Sequence, residues 1–111
     1  MKIAVPLFKE RVSPHFGSSS LIMLLEIRDD KIEKEAVWDV GGESPMEIAR
    51  RLVSLDVKKL ICGGIQSDYK EWLIRKGIEV VDNQKGLVKD IVQRVLKVNL
   101  KRGGVSHGKE S

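Results

Sequence analysis

The chain has 111 residues, one cysteine and a formal net charge of +4. That length suits one domain, which buries roughly two-thirds of its unfolded surface and needs no staples. It excludes an intrachain disulfide, and no apolar run approaches the roughly 18 residues that span a membrane. From Lys97 onward four basic residues (Lys97, Lys101, Arg102, Lys109) accompany one acid, Glu110, which leaves 16 basic and 15 acidic residues in the body. The body is close to neutral, and Tyr69, Trp38 and Trp72 stand in no basic stripe, so neither a nucleic-acid partner nor a membrane surface is expected. The lone Cys62, with a start that enters a strand at once and shows no export signal, fits a cytoplasmic protein.

Residues 2–8 read as the first strand, with Pro6 near its end. A loop rich in Ser, Pro and Gly follows over 9–20 and holds His15. Leu21–Ile27 is a near-continuous apolar run, expected to be covered on both faces. The polar turn 28–31 is so short that the strand about 32–39 must return antiparallel. Glu33, Lys34 and Glu35 suit an edge, where charge discourages pairing with other chains. After Gly41-Gly42, Ser44-Pro45-Met46-Glu47 announces a helix, with Ser44 as N-cap, Pro45 at the first position and Glu47 closing a capping box. Ile48, Ala49, Leu52 and Val53 form its apolar stripe. Val57–Cys62 is the fourth strand, ended by Gly63-Gly64. A second helix runs from about Ser67 to Lys76 and stops at Gly77. Ile78–Asp82 is the fifth strand, and a third amphipathic helix spans about 86–98. The chain divides into one α/β domain over 1–98 and a disordered basic tail over 99–111.

The order β-β-β-α-β-α-β-α contains a right-handed βαβ unit. The expected architecture is a three-layer α/β fold: a five-stranded mixed sheet in the order 3-2-1-4-5, strand two antiparallel, helices on both faces. Strands one and four then end on the same edge while their connections diverge, which makes a switch point of the kind that binds ligands. The loop with Arg11, His15 and Gly17 meets there the loop with Cys62, Gly63 and Gly64. An imidazole, a thiol and open backbone N–H groups are expected in that crevice. The N-terminus of the second helix also points towards it, which favours an anion.

Ser13-Pro14-His15-Phe16-Gly17 and Ile61-Cys62-Gly63-Gly64-Ile65, together with Met1–Pro6 and Lys76–Val81, resemble the dinitrogenase iron–molybdenum cofactor biosynthesis family over about residues 1–97. The resemblance implies a ribonuclease-H-like fold and binding of iron–sulfur or iron–molybdenum clusters or their precursors. It also implies that His15 is the residue in contact with the cluster. The chain departs from the family pattern at Ser18-Ser19-Ser20, and its 41–44 loop lacks the His and Cys of some relatives.

Each candidate also has a plainer role. His15 is either a metal ligand through a neutral nitrogen or a solvated loop residue. Cys62 either supplies a thiolate or fills the end of a buried strand. Gly63 and Gly64 either admit an anion to the backbone or simply turn the chain. Arg11 and Gly17 line the same loop. One His and one Cys make neither a closed zinc site nor a four-thiolate iron–sulfur site. They do suit open, transient holding of a preformed cluster that brings its own sulfides, or ligands pooled across a homodimer. No convergent carboxylates support nuclease chemistry, and the serines lack a base with an acidic orienter. The expected function is therefore non-catalytic: a binding or carrier protein for an iron–sulfur or iron–molybdenum cluster, exchanging it with a donor or acceptor protein. The alternatives are a metal-free interaction or regulatory domain and a small anionic-ligand sensor.

Overall fold

The computed structural model describes residues 1–105, and side-chain surroundings through Lys97. Five long or medium strands, β1 (Lys2–Phe8), β3 (Leu21–Arg28), β4 (Lys31–Asp39), β5 (Val57–Ile61) and β6 (Glu79–Val81), lie side by side in the order β4-β3-β1-β5-β6. A sixth strand, β2 (Arg11–Val12), pairs antiparallel with β1. Strand β3 runs antiparallel to both β1 and β4, while β5 is parallel to β1 and to β6. The sheet is mixed and six-stranded, which corrects the expected five. The extra strand arises because the chain turns back immediately after β1. Lys9 adopts φ 59°, the left-handed conformation that a two-residue hairpin needs at its first central position, and Phe8 then faces Arg11 across the turn. Asp29 and Asp30, at φ 55° and 62°, make the same kind of tight return between β3 and β4.

Helices α1 (Pro45–Ser54) and α2 (Ser67–Arg75) cover one face of the sheet, and α3 (Val88–Val105) covers the other. Two cores result. Ile48, Ala49 and Leu52 of α1 and Leu73 of α2 pack with Ala4, Ile22 and Leu60. Val88, Ile91 and Val92 of α3 pack with Ile3, Val5, Leu25 and Ile61. Alternation along β1 and β5 thus divides each strand between two apolar layers, as expected for a sheet covered on both sides. Strand β4 is the edge, and its residues are almost all exposed. Helix α1 starts as its sequence announces. The Glu47 N–H donates to Ser44 Oγ at 3.2 Å, and the Ser44 N–H donates to Glu47 Oε1 at 2.7 Å. Those bonds to Ser44, backbone first, hold the Glu47 carboxyl below its usual range.

The backbone of α3 continues to Val105, past the end expected at 98. No breaker interrupts 99–102 before the glycines at 103 and 104. The rest of the expected tail, 106–111, lies outside the described residues. Among the described residues no helix is long and apolar enough to cross a membrane.

Candidate functional site at the carboxyl edge of the sheet

Three loops meet where β1, β5 and β6 end. The first leaves β2 and is pinned at once, because the Ser13 N–H donates to the Pro6 carbonyl at 2.8 Å. Pro6 has no N–H to offer the sheet, yet its carbonyl is used to anchor the loop. The second loop begins with Gly63. The Gly64 N–H donates to the Pro14 carbonyl at 2.7 Å, and the Phe16 N–H donates to the Gly64 carbonyl at 2.8 Å. His15 therefore sits opposite Gly64 in a short parallel bridge. The third loop follows β6. Its Asn83 N–H donates to the Gly63 carbonyl at 2.9 Å, and its Gln84 N–H donates to the Cys62 carbonyl at 3.0 Å. Gly86, at φ 118°, presents a carbonyl that accepts from the Val12 N–H at 2.9 Å. This positive φ is a conformation few side-chain-bearing residues accept.

The backbone of His15 is held from several sides. The hydroxyls of Ser13 and Ser19 donate to its carbonyl at 3.1 and 3.0 Å. Its neighbour Phe16 is 1% exposed and anchors the loop in the α1/α2 core. The His15 side chain is nevertheless exposed. Among the described residues its ring makes no hydrogen bond within the chain. With the backbone already fixed, little backbone ordering entropy remains to be lost when the loop engages another group, while the imidazole itself stays unoriented.

His15 stands on a ridge between two clefts. One, of about 420 Å³, is lined by Phe8, Arg11, His15, Gly63, Gly64 and the loop Asn83–Gly86. The other, of about 620 Å³, is lined by His15, Gly17, Ser18, Pro45, Gln66 and Tyr69, at the start of α2. Arg11, His15, Gly63 and Gly64 thus come together around the first cleft, and Gly17 borders the second.

Cys62 does not reach either cleft. It is 0% exposed and packs in the α1/α2 core with Ala4, Phe16 and Leu73. Burial, reinforced by the nearby Asp82 charge and opposed by Lys70, pushes its thiol up to about 12. A thiol sealed in an apolar layer is out of reach of anything bound in the clefts, and its burial makes it unreactive. The expectation that Cys62 lines the crevice as a ligand is corrected accordingly: as the residue after β5, it projects to the core side.

The glycine pair also has a different reason from the one expected. A Cβ on Gly63 would lie 2.4 Å from the Ser13 carbonyl oxygen and 2.7 Å from that of Pro14. Gly63 exists so that two backbones can touch. The Gly64 N–H, expected to be open to an anion, already serves Pro14. Lys85 and its loop, which nothing local in the sequence singles out, also line the first cleft. A signal was present, since β6 is parallel to β5 and its carboxyl end had to arrive at the same edge.

Among the described residues no three His, Cys, Asp or Glu side chains are placed to hold a metal ion. What the edge offers is one exposed imidazole flanked by two open clefts, on a rigid base of interlocked loops. The architecture is that of a small three-layer α/β protein with an exposed histidine at the switch point of its sheet. The family model for the dinitrogenase iron-molybdenum cofactor matches residues 1–98, and the chain belongs to that family. No curated protein matches. Among solved structures, the chain is similar to PH0822, with 23% identity, 87% of this chain and 89% of that one covered, and a TM-score of 0.82. It is also similar to mj0327 of Methanocaldococcus jannaschii in its crystal structure, with 21% identity, coverage of 87% and 88%, and a TM-score of 0.71. The NMR structure of mj0327 gives 20% identity, 89% coverage of each chain and a TM-score of 0.70. At these identities the likeness speaks to the fold.

Proposed function

We propose that the protein is a non-catalytic carrier for an anionic metal–sulfur cluster, of the iron–sulfur or iron–molybdenum type, or for its precursor. The observation that carries this reading is His15: an exposed imidazole on an immobilised loop, between two clefts, in a chain of the iron–molybdenum cofactor family. A preformed cluster brings its own bridging sulfides, so a transient carrier needs few protein ligands of its own. Histidines that bind a metal permanently are usually oriented by a second hydrogen bond from the far ring nitrogen. None reaches His15 among the described residues, and ligation without that support favours release. The open side of the ridge leaves room for a donor or acceptor protein, or a second copy of the chain, to complete the cluster's shell. The same isolation argues against catalysis, since an unoriented imidazole without a neighbouring nucleophile is a poor general base.

Anaerobic reconstitution with iron, molybdate and sulfide, followed by metal analysis and visible absorption, tests the reading. The wild type takes up metal with a sulfide-to-metal band, and His15→Ala does not. Equal uptake by the two proteins, whether near zero or substantial, contradicts it.

A further inference from the structure

The first cleft has a charge character that the body of the chain does not share. Elsewhere acids and bases are interspersed, with ion pairs such as Lys70–Asp82 at 3.2 Å and Lys58–Asp56 at 3.0 Å. The cleft between β2 and the Asn83–Gly86 loop is lined by Arg11, His15 and Lys85, and by no carboxylate. Arg11 and Lys85 are exposed, and among the described residues neither lies within ion-pair distance of an acid. The two walls that carry them are fixed to each other by backbone. Val12, next to Arg11, donates to the carbonyl of Gly86, next to Lys85, and Arg11 itself bridges Leu87. Unpaired cations on preorganised walls around a small concavity lower the reorganisation cost of taking up an anion.

We propose that this cleft is an oxyanion site, with Arg11 and Lys85 as its charged walls, and that it takes a compact tetrahedral dianion of the phosphate or molybdate kind. The guanidinium offers a planar fork of donors and the ammonium a second charge, while the exposed Asn83 contributes a neutral amide at the rim. Such a set prefers a doubly charged, oxygen-rich guest to chloride. The site lies apart from the α2 N-terminus, which opens on the second cleft. The assignment goes beyond the cluster reading and does not rest on it.

The test is a titration of the isotope-labelled full chain with inorganic phosphate and, separately, with molybdate, at ionic strength held constant by sodium chloride. Saturable amide shifts are expected at Arg11, Asn83, Lys85 and Gly86. The double variant R11Q/K85Q, whose side chains are exposed and whose fold should stand, binds at least about tenfold more weakly. Anion binding is read without iron or sulfide and with His15 in place, whereas cluster loading is read on His15→Ala, so this proposal and the carrier reading fail separately. Binding of one anion or both supports the site and names its guest. No saturable shift with either anion, or equal affinity in R11Q/K85Q, overturns it.

Discussion

His15 and Cys62 end neighbouring segments of the same sheet edge, and a few backbone atoms of Pro14, Gly63 and Gly64 tie them together. Their chemistry is opposite. His15 is offered to solvent on a loop held by the Ser13 and Ser19 hydroxyls and by backbone bonds to Gly64. Cys62 is sealed beneath α1 and α2, with its proton locked on by burial. Being near a switch point therefore does not make a residue part of the site; the direction in which the side chain leaves the strand decides it. Of the pair only the imidazole faces the clefts, and the thiol contributes packing.

The largest effect expected in breaking this contrast comes from the hinge between the two residues. Gly63→Ala forces a methyl group against the Ser13 and Pro14 carbonyls, contacts that no rotamer change can relieve. It should destabilise by about 1–3 kcal/mol in denaturant unfolding, as overpacking typically does. It should also detach the His15 loop, seen as faster amide exchange at Phe16. Gly64→Ala, whose Cβ would lie 3.2 Å from the Pro14 oxygen, should cost less. Similar effects from the two substitutions would mean that the loops are not locked at Gly63.

Next in size are changes at the buried end. Cys62→Ala deletes a sulfur from a closed core and should cost about 1 kcal/mol. The native thiol should resist iodoacetamide at about pH 8 and react promptly once the chain unfolds. The folded thiol is raised from an ordinary value of 9.0 to about 12, so its contribution to stability is complete below pH 9.0 and is lost as pH rises towards about 12. Chemical denaturation across that range should show stability falling with pH in the wild type, and falling less steeply in Cys62→Ala. A thiol that alkylates readily in the native protein would place Cys62 at the surface after all.

The smallest effect lies furthest from the site. Ser44→Ala removes the hydroxyl half of the α1 cap and should cost about 0.5–1 kcal/mol. It removes the hydroxyl interaction that helps to lower the Glu47 pKa, while the backbone N–H of residue 44, the larger cause, still donates to Glu47 Oε1. In the wild type that carboxylate contributes stability above its unfolded pKa, and the contribution is lost as pH falls through the lower folded value. The variant should therefore lose only slightly less stability on acidification than the wild type, with the His15 edge unchanged.

The cap itself was legible in the sequence because Ser44, Pro45 and Glu47 carry local, directional chemistry. Four of the five longer strands were legible from their apolar residues, and the charged β4 from the short polar turn that must return it antiparallel to β3. Strand β2 was not, since two residues have no periodicity and the turn at Lys9 lacks the usual glycine. The candidate site was legible as a place, since parallel strands must end together. Its membership was not. Which face Cys62 takes depends on the register of β5 beside β1, and that register shifts between Lys2 and Ile3. Lys85 looked like any polar loop residue until β6 delivered its loop to the same edge.

The central claim is that His15, and not Cys62, holds the cargo. Side-by-side anaerobic loading of the wild type, His15→Ala and Cys62→Ala with iron, molybdate and sulfide tests it most directly, with bound metal measured per chain. The account predicts that Cys62→Ala loads like the wild type and His15→Ala stays empty. Loading that survives in His15→Ala, or is lost in a folded Cys62→Ala, would contradict it.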